Sequence, residues 1–112
     1  VRIDGEALFN RFGSSIIPVG DIDNDQKADF AIGAPMADVG AFALTGKVYL
    51  FKGKDITGMA TLADSTMFEG SAKDQGYGTS LAVSKNGWLL IGAPRMNADT
   101  GRVFLVDLTG QE

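Results

Sequence analysis

Apolar residues in this chain gather in short runs of about four to seven, each bounded by Gly, Pro, Asn or Asp. The runs SIIPV, FAIG, KVYLF, STMFEG, SLAVS, LLIG and VFLV are rich in β-branched and aromatic residues and read as strands. No segment carries the 3.6-residue apolar period over enough length to predict a helix, so the fold class is all-β. Asn86-Gly87 separates SLAVS from LLIG and predicts a tight two-residue hairpin turn with antiparallel neighbours. Runs such as YLF, LLI and VFLV place apolar side chains on both faces of a strand, which predicts sheets covered on both sides.

The pattern also repeats. RFGSSIIPVG at 11–20 returns as GYGTSLAVS at 76–84, FAIGAP at 30–35 as LLIGAP at 89–94, and GKVYLF at 46–51 as GRVFLV at 101–106. The three anchors keep their order, and the second copy is shorter only in the connections, where loops tolerate change. A four-stranded antiparallel unit repeated in this way, with both faces buried, predicts blades stacked around an axis. The alternative is a small sandwich.

Composition narrows the function. With 45% of its 112 residues apolar, the chain has enough material for one small core. A net charge of −4 argues against a nucleic-acid surface, and no apolar run approaches the length of a membrane span, so membrane insertion is not expected. The absence of Cys and His removes thiol chemistry, Cys/His zinc sites and Ser-His nucleophiles. Asp64, Glu69, Asp74 and Asp99 have no spacing that would bring an acid and a base together, and Ser14, Ser15, Thr79 and Ser80 have no base beside them, so no catalytic residue is expected.

Phe12-Gly13 with Gly33-Ala34-Pro35, and Tyr77-Gly78 with Gly92-Ala93-Pro94, each followed by Gly-Lys/Arg-Val-aromatic-Leu, resemble the FG-GAP repeat. That repeat is the blade of integrin α-subunit β-propellers and of many microbial surface proteins. The resemblance covers nearly the whole chain and implies a β-propeller segment with two blades: 10–70, and 71–112 lacking its own outer strand. Residues 1–9 would be the outer strand of a preceding or partner blade. Two blades cannot close a ring, so further blades are expected, from the same protein or from a homo-oligomer in which residues 1–9 of one chain pair with residues 102–108 of the next.

Some blades of this family hold Ca²⁺ between their first two strands, and the resemblance places that loop at DIDNDQKAD. It implies side-chain ligands Asp21, Asp23, Asp25 and Asp29, with the Lys27 carbonyl. Carboxylates at alternate positions suit a hard, oxygen-liganded cation, and without one their mutual repulsion is costly. An EF-hand begins in the same way but needs a carboxylate at position twelve, where Ile32 stands inside a strand. A solvated acidic turn is the plain alternative. Gln26 occupies the sixth position, where Gly is usual, and reaches a left-handed backbone only at a cost. The second copy replaces the loop with Lys85-Asn86-Gly87 and is expected to bind no metal.

By similarity to integrins, the opposite face of the disc takes protein ligands, with a glycan as a further possibility, and its candidate contacts are Asp38, Phe42, Asp74, Arg95, Met96 and Asn97. The expected function is non-enzymatic: a calcium-binding module for adhesion or recognition at the cell surface or outside the cell. The rivals are the propeller portion of an extracellular enzyme, such as a phospholipase or a polysaccharide-degrading protein, and a structural spacer.

Overall fold

A computed structural model of the chain describes residues 2–6, 10–21, 26–41, 43–53, 65–70, 76–85, 87–95 and 101–108. All seven apolar runs form strands: β1 (Ser15–Gly20), β2 (Asp29–Ala34), β3 (Lys47–Phe51), β4 (Thr66–Glu69), β5 (Ser80–Val83), β6 (Trp88–Ala93) and β7 (Arg102–Asp107). They make two antiparallel sheets, one in the order β1-β2-β3-β4 and one in the order β5-β6-β7. The sheets are consistent with FG-GAP units, and the described residues close no ring. None of the described residues belongs to a helix long and apolar enough to cross a membrane.

The hairpin between β5 and β6 is wider than the two-residue turn that Asn86-Gly87 predicts. Ser84 N donates to Trp88 O at 2.9 Å, and Gly87 N to Ser84 O at 3.2 Å, so the connection has three residues. Gly87, at φ 84°, takes the left-handed position that such a loop requires. The Ser84 hydroxyl also accepts from Trp88 N, and this added partner favours the wider closure.

Period-two alternation decides which side chains fill the space between the sheets. From the first sheet, Val19, Ala31, Val48 and Leu50 point inward; from the second, Leu89 and Ile91 do, joined by Tyr77 and Leu108. The sheets meet in tandem order, because the face that Gly33 lies on in the first sheet corresponds to the face of Gly92, which points away from the core in the second. Contact is closest at the glycines. A Cβ on Gly33 would collide with the Gly78 carbonyl oxygen, and one on Gly78 would stand 2.9 Å from Lys47 O and 3.5 Å from Gly33 Cα. The Ser15 hydroxyl donates to Gly78 O at 2.8 Å, and Tyr77 N donates to Thr45 O at 2.8 Å. These bonds tie the second unit's turn to the first unit's sheet.

The outer face of the first sheet forms a second cluster of Ile32, Ala34, Ala37, Tyr49 and Phe51, with Ile3, Phe12 and Phe30 against it. Residues 2–6, expected within an outermost strand, form no strand and cover this face instead. A strand needs a neighbour to supply its ladder, and the Asp4-Gly5 pair is a poor strand former. The Glu6 carboxylate accepts from Lys47 Nζ and, at 3.4 Å, from the Tyr49 hydroxyl. The lysine hydrogen bond holds the Glu6 carboxyl below its ordinary pKa. Burial, with the Glu6 charge beside it, pushes the Tyr49 phenol up to about 12, and burial alone does the same for Tyr77.

Two outcomes follow from this packing. Gly33→Ala is expected to lower stability by about 1–3 kcal/mol, because the obstructing atom is backbone and cannot turn aside. In the second sheet a Cβ on Gly92 meets only the Ser80 hydroxyl, a rotatable group, so Gly92→Ala should cost clearly less in urea melts. The chain has 2 tyrosines, both raised, so tyrosinate absorbance should stay silent through the ordinary range near pH 10 and emerge near 12. A raised folded pKa contributes stability fully below the unfolded value and loses it as pH rises through the folded one, so alkaline weakening should fall between pH 10 and 12.

Candidate metal loop and ligand face

The acidic stretch connects β1 to β2 at the end of the first sheet away from the glycine contact. Gly20 pairs with Asp29 across a register shift between Pro18 and Gly20, so positions 21 and 29 flank the mouth of the hairpin. Asp21 is exposed, and its Oδ2 accepts from Gln26 N at 2.7 Å, which curls the loop back on its own first carboxylate. Gln26 stands at φ 68°, the left-handed conformation for which Gly would be cheaper. Of the predicted ligand set, Asp21, Lys27 and Asp29 are placed, while Asp23 and Asp25 lie outside the described residues.

Asp29 is fully buried, and its Oδ1 accepts from Gly53 N at 2.7 Å. Gly53 follows β3 so closely beneath the loop that a Cβ there would stand 2.9 Å from Lys27 Cβ. The buried carboxylate therefore joins the end of the acidic connection to the end of the neighbouring strand. The residue type fits a hard cation, since carboxylate and carbonyl oxygens are what Ca²⁺ takes. The bond to Gly53 was not legible in the sequence, because it spans two strands and no local spacing signals it.

The second unit closes the corresponding hairpin through Ser84–Gly87. At the opposite end of the sheets lie the connections that follow Gly-Ala-Pro. Asp38 is exposed in the β2–β3 connection, where its Oδ1 accepts from Leu44 N at 3.1 Å, so this side chain organises its own loop. Arg95 is exposed at the turn after Pro94. The other predicted contacts, Phe42, Asp74, Met96 and Asn97, lie outside the described residues.

Comparison with known proteins agrees with the repeat pattern. The FG-GAP repeat family model matches residues 12–51. Over 102 residues, 82% of this chain, the sequence is 35% identical to integrin alpha-V of Gallus gallus. It is 33% identical over 97 residues, 81% of the chain, to integrin alpha-IIb of Homo sapiens. A 52-residue stretch is 44% identical to integrin alpha-5 of Xenopus laevis. The chain spans 9% of the length of integrin alpha-V and of integrin alpha-IIb.

Removing the buried carboxylate should cost stability even where no metal is present. Asp29→Ala leaves the Gly53 N–H without its partner, and in chelator the loss is expected to be about 2 kcal/mol by urea denaturation. Asp21→Ala removes an exposed acceptor and should cost well under half as much under the same conditions.

Proposed function

The chain belongs to the FG-GAP repeat family, and from that premise we propose a non-enzymatic, calcium-stabilised module for integrin-like adhesion or recognition, at the cell surface or outside the cell, within a β-propeller. The observation that carries this reading is the acidic connection between β1 and β2. It lies in the unit matched by the family model, and its two mouth positions carry Asp21 and Asp29. The second unit has the same pair of strands joined without it.

In this reading, Asp21, Asp23, Asp25 and Asp29 supply carboxylate oxygens, and Lys27 supplies its carbonyl. The cation offsets the repulsion among four aspartates within nine residues and lets them approach a buried strand. Calcium would then stiffen the hairpin that ends on Asp29, and with it the connection to Gly53. The protein ligand is taken at the opposite end, by the loops that carry Asp38 and Arg95 together with Phe42, Asp74, Met96 and Asn97. Arg and aromatic residues are the types enriched at such interfaces.

One Ca²⁺ per chain is the expected stoichiometry, with an affinity on the order of 10⁻⁴ to 10⁻³ M, as in extracellular modules. Calorimetric titration should lose its heat in Asp23→Ala or Asp25→Ala, and the melting temperature should fall in chelator. No calcium heat, together with a melting temperature indifferent to chelator, would refute the metal site. Immobilised chain that retains no protein ligand in calcium would count against recognition without touching the metal.

A further inference from the structure

We infer that Gly53, at the end of β3 and outside the acidic connection, is the positioning residue that sets how tightly that connection holds its cation; the inference rests on the calcium reading above. Two features of Gly53 act on the connection. Its N–H donates to Asp29 Oδ1 at 2.7 Å, which restrains one oxygen of the buried carboxylate and with it the orientation of the whole group. Its bare Cα lies against the backbone of Ala28: a Cβ there would collide with the Ala28 carbonyl oxygen and stand 2.9 Å from Lys27 Cβ. Ala28 is the residue between the Lys27 carbonyl and the Asp29 carboxylate, the last two ligands of the proposed set. Gly53 therefore holds both of them in place, although it lies 24 residues beyond Asp29 in the chain.

The second unit supplies an internal control for this position. Continuing the register of Phe30 with Phe51 sets Ala28 opposite Gly53, and continuing that of Leu89 with Val106 sets Gly87 opposite Leu108. By the internal repeat, Gly53 is thus equivalent to Leu108, and Asp29 to Trp88. Leu108 N donates to the Gly87 carbonyl oxygen at 2.9 Å, so backbone alone continues the ladder there, and the leucine is fully buried. In the first unit the same N–H goes to a carboxylate side chain. The unit that joins its strands through Ser84–Gly87 carries a large apolar residue where the unit with the acidic connection carries glycine.

Glycine is required at 53 for room and not for backbone conformation, since its φ lies outside the left-handed region. The strands on either side are firmly placed. Phe30 and Phe51 stack at 5.4 Å with their rings 15° apart, immediately before the point where the connection begins. A side chain at 53 must therefore displace the Lys27–Asp29 backbone, because the paired strands resist moving. Groups that hydrogen-bond a metal ligand without touching the ion typically change affinity by about 10–100-fold when they are lost. Gly53 is such a group, and it also controls the space beneath the neighbouring carbonyl ligand.

The test measures calcium affinity and stability in chelator side by side, on the full chain. Gly53→Ala should weaken calcium binding by about ten-fold or more in calorimetric titration. Gly33→Ala is obstructed by a backbone oxygen in the same way, but at the far end of β2 from Asp29. It should lose stability in urea melts and keep its calcium affinity within about two-fold, as distant sites do. A second measurement needs no substitution and decides the matter if Gly53→Ala does not fold. In isotope-labelled wild-type chain, the Gly53 amide resonance should shift on calcium addition with the midpoint of the calorimetric titration. Wild-type affinity in Gly53→Ala, or an equal loss in both glycine variants, overturns the inference and leaves the metal site standing. A Gly53 amide that stays still while the Gln26 amide moves does the same. A wild-type chain with no calcium heat and no moving amide overturns the metal site, and this inference with it.

Discussion

The rest of the structure depends on one contact, the approach of Gly33 to the Gly78 carbonyl. Two sheets stack near 10 Å apart when their side chains interdigitate, and tighter meeting points need residues without a Cβ. Gly33 and Gly46 provide that room on one sheet, and Gly78 provides it on the turn of the next. Ser15 then satisfies the carbonyl that the approach would otherwise strand, so the contact removes apolar surface from water without leaving a buried polar group unpaired. Ala31, Val48 and Leu50 are buried because that contact sets the sheets' separation and orientation.

Placing the glycines at one end of β2 leaves its other end free to vary. The β1–β2 connection is distant from the contact along the strand, so an acidic loop in one unit and a three-residue turn in the other are compatible with the same stacking. That freedom explains how a charged loop can abut a core strand. Of the loop's described carboxylates, Asp21 is exposed and Asp29 is placed inside, where its bond to Gly53 N makes the burial tolerable.

The strands and their neighbours were legible because their apolar runs are short, are bounded by turn residues and recur in order. The glycine pairs were also legible, since their repetition signalled a backbone requirement. Long-range geometry was not. The Asp29–Gly53 bond and the Glu6–Lys47–Tyr49 group join segments distant in sequence. The three-residue hairpin turned on the Ser84 hydroxyl, a local competitor that the Asn86-Gly87 dipeptide does not reveal. Residues 2–6 read as a strand by their kinship to later runs, yet an outer strand takes its conformation from whatever edge lies beside it, and that information is not in its own residues.

The tandem order of the sheets also explains why the apolar runs are continuous rather than alternating. In a sandwich of two sheets facing one another, each strand has one wet face, and Leu105 and Val103 would be replaceable by polar residues at little cost. Here the corresponding positions of the first unit, Leu50 and Val48, are buried by the second, while Tyr49 and Phe51 are buried on the opposite face. The first unit therefore carries two apolar faces of different shape, one with Gly33 at its closest contact and one with the Phe12 and Tyr49 rings. Reversing the second unit would take Gly78 away from Gly33 and leave the Ser15 hydroxyl without the carbonyl it donates to. Direction is thus encoded in side-chain shape and hydrogen bonding.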